Sequence, residues 1–312
     1  MNEKHKNYTH PDQFNLLAFP GFADVEMLLF ILVLLMYLLA VLGNLIIIAL
    51  ICVAPQLHTP MYFFLCNLAF QDIVYISAIQ PKLMAITITG DHSISFPGCI
   101  SQIFLFIFCL DTEFFLLTAM AYDRYVAICV PLRYSVIMNK SVCTLLAVTV
   151  WLLAGFNALV HSLLISNLFF CKSHELNHFF CELKTLLSLS CSDITANLII
   201  IFVEGFFIGL FPFILIFTSY MFIISAVLKI RSPAGQIKAF SRCSSHLIVV
   251  ILLYGTSLSF YMKPESEHSQ EQDKILSMVY VAVVPVLNPL VYSLRNKEVL
   301  KALKKTGLNR KH

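Results

Sequence analysis

Met120-Ala121-Tyr122-Asp123-Arg124-Tyr125-Val126-Ala127-Ile128-Cys129 sets an acid and a base at the end of a long apolar run. Upstream, from Ile100 to Ala119, nearly everything is apolar apart from a small acidic cluster. A stretch of ~20 such residues at about 1.5 Å per residue crosses a bilayer. Asp123 and Arg124 therefore sit at a membrane face. Taken alone, Arg124 need only reach for the headgroups with Asp123 beside it, so the rest of the chain has to decide what the pair is for.

The 312 residues are 59% hydrophobic and only 12% charged, with a mean hydropathy of +0.82. That composition excludes a soluble domain and specifies an integral membrane protein. Seven apolar stretches are long enough to span: 27–53, 59–82, 98–122, 142–165, 195–228, 240–262 and 274–294. The sequence has neither the alternating short strands of a β-barrel nor the internal repeat of an inverted-repeat transporter. The expected fold is an all-α bundle of seven transmembrane helices over 27–294, preceded by an outer N-terminus, 1–26, and followed by a tail, 295–312. In the tail Val299, Leu300 and Leu303 fall on one side of a helix and four lysines around the other, the pattern of a short amphipathic eighth helix on the membrane surface.

Lys and Arg give the orientation. If Arg124 faces the cytoplasm, fourteen of the 21 basic residues do too, with only Asp123 and Glu298 as acids on that side. The positive-inside rule then places the N-terminus outside, with the first span as its own insertion signal because the opening residues lack an apolar core. Asn7-Tyr8-Thr9 becomes a glycosylation acceptor on the correct side, whereas Asn139-Lys140-Ser141 faces the cytoplasm and is inert. Four cysteines fall on the outer side, Cys99, Cys171, Cys181 and Cys191. In an oxidising compartment they read as two disulfides, with three pairings open.

Further motifs follow in order: Gly43-Asn44 in the first span, Pro60-Met61-Tyr62-Phe63-Phe64-Leu65 opening the second, Lys238-Ala239-Phe240-Ser241-Arg242-Cys243-Ser244-Ser245-His246-Leu247 opening the sixth, and Pro285-Val286-Leu287-Asn288-Pro289-Leu290-Val291-Tyr292-Ser293-Leu294-Arg295-Asn296 closing the seventh. Together with MAYDRYVAIC they resemble the signatures of vertebrate odorant (olfactory) receptors, within the rhodopsin-like G-protein-coupled receptor superfamily. The MAYDRY form matches class II better than class I. Arg242 and Val291 depart from the usual residues. The resemblance selects the pairings Cys99–Cys181 and Cys171–Cys191. It implies a receptor, not an enzyme, that binds a small odorant in the outer half of the bundle and activates an olfactory-type stimulatory G protein, raising cyclic AMP, in the plasma membrane of sensory cilia. Lipid is the other expected partner and nucleic acid is not. The seventh span has no mid-membrane Lys to form a Schiff base, which excludes retinal.

Site residues are expected as follows. Asp123, Arg124 and Tyr125, with Tyr220, His246 and Tyr292, form the G-protein switch: Asp123 holds Arg124 at rest, and Tyr220, His246 and Tyr292 hydrogen-bond to one another. Phe106, Ile107, Leu110, Asp111, Glu204, Ile208, Tyr254 and Ser257 line the odorant pocket. Asp72 and Glu113, with Asn44 and Asn288 nearby by analogy, either bind an allosteric Na⁺, the favoured reading, or keep one carboxyl protonated; no other cofactor is expected. The usual Gly-x-Thr-Glu of the family's third helix is Leu110-Asp111-Thr112-Glu113 here. Two residues apart is ~200° around a helix, so Asp111 turns from Glu113 toward the fourth and fifth spans, where Glu204 lies. Asp111 and Glu204 either share a proton or bond a hydroxyl, or they receive a positively charged ligand, an amine; Lys184 in the outer loop is the rival cation that would neutralise one acid itself.

Overall fold

The computed structural model describes residues 12–19, 26–171, 173–261, 269–294 and 297–308. Asn7 lies outside the described residues. Seven helices are long and apolar enough to cross a membrane. The first four are α1 (Glu26–Val53), α2 (Pro60–Thr89), α3 (Phe96–Cys129) and α5 (Lys140–Ser166), with a one-turn helix α4 (Tyr134–Ile137) between the last two. The fifth span is α7 (Thr195–Glu204) and α8 (Phe211–Leu228), joined by a π-helical stretch, Gly205–Leu210. The sixth is α9 (Pro233–Tyr261), and the seventh is α10 (Ser269–Met278) and α11 (Val284–Leu294), joined by a second π-helical stretch, Val279–Val283.

The sequence places the spans correctly but cuts several of them short, the sixth and seventh at their starts, Pro233 and Ser269, and the second and third at their ends. α2 continues past Pro81 to Thr89, and α3 runs on to Cys129, so Asp123 and Arg124 lie within the helix rather than beyond it. A proline removes the N–H that would bond the carbonyl four residues back, and in hydrocarbon no water replaces it. Near Pro81 the Gln102 amide of α3 donates to Ala78 O at 3.0 Å, while its own oxygen accepts from Cys181 N at 2.8 Å. In α11, Pro289 has no N–H to offer Pro285 O, and Asn44 of α1 donates to that carbonyl at 3.2 Å. Gly43 makes the approach feasible: a Cβ there would lie 3.1 Å from the Pro289 ring.

Around this bundle the outward residues are large and apolar. Leu32, Leu39, Leu152, Phe156, Phe202 and Phe217 are all exposed, as a lipid-facing surface requires.

At the Cys99 end the structure adds a small sheet in the order β2-β1-β3. Strand β1 (Gln13–Leu16) pairs antiparallel with β2 (Ser93–Ser95) and parallel with β3 (Glu175–Leu176), and covers Phe14 and Leu16 completely. The disulfides Cys99–Cys181 and Cys171–Cys191 anchor the long loop, which also carries α6 (Leu183–Leu189). The remaining six cysteines are free thiols. At the Arg124 end α12 (Lys297–Leu308) packs against the turn between α1 and α2, burying Val299 and Ala302.

The tight seam between α1 and α11 makes a direct prediction. Gly43→Leu would force the Pro289 ring aside and should destabilise the receptor by about 1–3 kcal/mol, seen as a lower unfolding temperature in detergent, while Gly43→Ala should cost much less.

Candidate functional site

At the Arg124 end, Asp123 is buried and its Oδ1 accepts a hydrogen bond from the Tyr134 hydroxyl at 2.7 Å. Burial and the neighbouring Asp123 charge push the Tyr134 phenol upward, so it stays a donor. Arg124 is half-buried. Among the described residues it makes no ion pair within 4 Å, although its charge still acts on Asp123. The hydrogen bond to Asp123 comes from the loop helix α4. The guanidinium lies near Tyr220, Cys243, His246 and Tyr292. Tyr125 packs on Phe222 of α8, with ring centroids 5.8 Å apart.

His246 is fully buried and joins three helices. Its Nε2 lies 2.9 Å from Leu117 O of α3 and its Nδ1 2.8 Å from the Tyr220 hydroxyl of α8. A carbonyl can only accept, so Nε2 carries the proton and Tyr220 donates to Nδ1; this is one neutral tautomer with both nitrogens satisfied. Tyr292 is buried too, but its hydroxyl has no hydrogen-bond partner among the described residues. The expected trio is therefore a bonded pair beside an unbonded phenol.

In the middle of the bundle, Asn288 of α11 donates to both oxygens of Asp72, at 3.3 and 3.0 Å. Glu113 lies close enough to act on Asp72 electrostatically. Asn44 is occupied by Ala40 O and Pro285 O, and no hydrogen bond joins it to Asp72. Glu113 Oε1 and Asn288 Oδ1 are buried without hydrogen-bond partners among the described residues. Hard oxygen donors of this kind suit a small alkali cation, so the residues present fit one.

Toward the Cys99 end the expected pocket residues divide among three neighbourhoods. Phe106 meets Tyr75 and Phe180, with centroids 5.7 and 5.1 Å apart. Tyr254 packs edge-on against Phe114 and donates to Gly209 O, a carbonyl of the π-helical stretch that also holds Ile208. Ile107 is buried, Leu110 and Ser257 half-buried. Asp111 and Glu204 do converge, through residues that the sequence reading left out. Asn157 of α5 donates from Nδ2 to Asp111 Oδ2 at 2.8 Å and, closely, to Glu204 Oε1. His161, one turn on, brings Nε2 to 2.8 Å from Glu204 Oε2. Two polar residues four apart in an apolar span share one face, and that signal could have found them.

The loop residues His174, His178, Cys181 and Glu182 hold no metal geometry. Cys181 is in a disulfide, Glu182 caps α6 by accepting from Lys184 N and Thr185 N, and His178 Nε2 lies 3.3 Å from Ser277 Oγ.

A profile described as olfactory receptor matches residues 33–310. The chain belongs to the olfactory receptor family. It is 46% identical to human olfactory receptor 1C1 over 300 residues, 96% of each chain. With mouse olfactory receptor 1E16 it shares 45% over 306 residues, 98% of each chain. With human olfactory receptor 2A5 it shares 48% over 301 residues, 96% of this chain and 97% of the other. It is thus a multi-pass membrane receptor and not an enzyme, of a family that takes small-molecule odorants and works through G proteins.

Burial, and then the nearby Lys274 charge, lower His178 to about 3. An unfolded imidazole titrates near ~6.5, so protons bind the unfolded loop more readily and stability falls as pH drops below that value toward 3. Thermal unfolding of the purified receptor should show this acid sensitivity, and His178→Gln should weaken it.

Proposed function

We propose that this olfactory receptor binds its odorant among the Cys99-side halves of α3, α7, α9 and α10, and passes the signal to an olfactory-type stimulatory G protein at the Arg124 end, raising cyclic AMP. In this reading the N-terminus is extracellular, the Arg124 end is cytoplasmic and the site of action is the ciliary plasma membrane. The carrying observation is the state of Arg124. It is half-buried with no ion pair among the described residues, beside a His246–Tyr220 bond that ties α9 to α8 and, through Leu117 O, to α3.

Such an arginine is a ready donor for backbone carbonyls of a docking helix once α9 moves away. The sixth-helix base offers Lys238 and Arg242 rather than an acid, so no ionic lock closes this end. Closure falls to the Tyr220–His246 pair and to packing. Odorant contacts at Tyr254 act on the same helix α9, two turns from His246, and on the π-helical stretch that gives up the Gly209 carbonyl.

Na⁺ between Asp72, Glu113 and Asn288 would add a charge that favours the closed packing and leaves on activation. The three residues sit on α2, α3 and α11, so holding one ion draws three helices together.

In cells challenged with an odorant panel, Arg124→Ala should abolish the cyclic-AMP response with surface expression unchanged; retained full signalling sinks the switch. Replacing external Na⁺ by a large organic cation should raise agonist potency in the wild type and leave Asp72→Asn unmoved. Equal indifference in both would remove the ion from the account.

A further inference from the structure

The meeting of α3, α5 and α7 brings two carboxyl groups, one amide and one imidazole together inside the bundle. Asp111 is 4% exposed and the Glu204 side chain 19%, and the two acids share the single amide nitrogen of Asn157. His161 is 0% exposed and brings Nε2 to 2.8 Å from Glu204 Oε2, and among the described residues neither of its ring nitrogens has a hydrogen-bond partner of good geometry. With both acids ionised, two negative charges would face at most one positive charge from the imidazole and none from the amide. Carboxylates taken out of water are costly unless paired.

Resting on the reading of this end as the odorant-binding end, we propose that Asp111, Asn157, His161 and Glu204 form a recognition site for a protonated primary amine, with His161 as the resident partner of Glu204 with which the ligand competes. An ammonium supplies one positive charge and three N–H donors, which are what the cluster lacks. Esters and aldehydes supply no donor at all. On the same face of α3, Phe104, Phe108 and Asp111 follow at helical spacing, and a crevice of about 390 Å³ lined by Ile100, Ser101, Phe104, Leu105 and Ser162 opens two turns from the acid, about 10 Å along the axis. Its lining is mainly apolar, a surface for an alkyl tail. The ligand class is therefore an amphiphilic alkylamine rather than a small polar one.

The test compares matched n-alkyl amines, alcohols, aldehydes and carboxylic acids, from butyl to decyl, on cells expressing wild type, Asp111→Asn, Glu204→Gln and His161→Asn at equal surface levels. In the wild type at least one amine should be more potent than the alcohol, aldehyde and acid of the same chain length. Removing one partner of a buried charged contact should cost that amine on the order of 30-fold or more in potency in each acid variant, with neutral odorants little changed. His161→Asn removes the competing imidazole and should raise amine potency, which a merely structural histidine would not do. A wild type that answers alcohols or aldehydes and ignores every amine overturns the amine site while leaving the odorant reading standing. Amine potency preserved in both acid variants, or lowered by His161→Asn, overturns it as well. A wild type silent to the whole series overturns the amine site, and the odorant reading is then judged separately by its response to other odorants.

Discussion

A backbone carbonyl inside a bilayer has no water to turn to, and this receptor breaks its own helices with proline at Pro81, Pro212, Pro285 and Pro289. Each break therefore calls for a donor from elsewhere or a change of helical pitch. Asn44 answers for Pro285 O and Gln102 meets Ala78 O next to the Pro81 break. The two π-helical stretches stand just before Pro212 and Pro285, with Tyr254 on the Gly209 carbonyl of the first. The side chains that meet these carbonyls come from different helices. The repair at Pro289 thus joins α1 to α11, and side-chain bonds to carbonyls beside the Pro81 and Pro212 breaks join α3 to α2 and α9 to the fifth span.

α3 is the axis of this arrangement because it distributes its three acids to different partners. Asp111 goes to Asn157 on α5, Glu113 to the Asp72–Asn288 neighbourhood, and Asp123 to Tyr134 on the loop helix α4. Two of the three directions follow from arithmetic at 100° per residue. A ligand acting on Asp111 and a protein acting near Asp123 touch one rigid rod at two levels. Leu117 O, between them, takes the bond from His246, so α9 is fastened to the same rod.

Much of the architecture was legible because apolar length and basic asymmetry are coarse signals that survive without contacts. The seven spans, the tail helix, the two disulfide pairs and the divergence of Asp111 from Glu113 could all be argued from residues, motifs and family resemblance. The misses have physical causes. β1 is four residues long and is a strand only because β2 and β3 lie on either side of it, contacts remote in sequence. Helix ends at Thr89 and Cys129 were placed too early, since a proline and a charged pair read as stops while tertiary donors and a membrane surface let the helix continue. Tyr134 as the partner of Asp123, and His161 as the partner of Glu204, required knowing which turn of one helix faces which turn of another. A one-dimensional pattern gives the face but not the height.

The claim at the centre of this account is that an odorant held near the Cys99 end changes what the Arg124 end offers to a G protein. Nucleotide exchange on a purified stimulatory heterotrimer, measured with the receptor in lipid nanodiscs, tests it without any cellular amplification. The account predicts exchange that accelerates on adding an odorant that binds. Exchange that stays at its odorant-free rate while that odorant is demonstrably bound would contradict it.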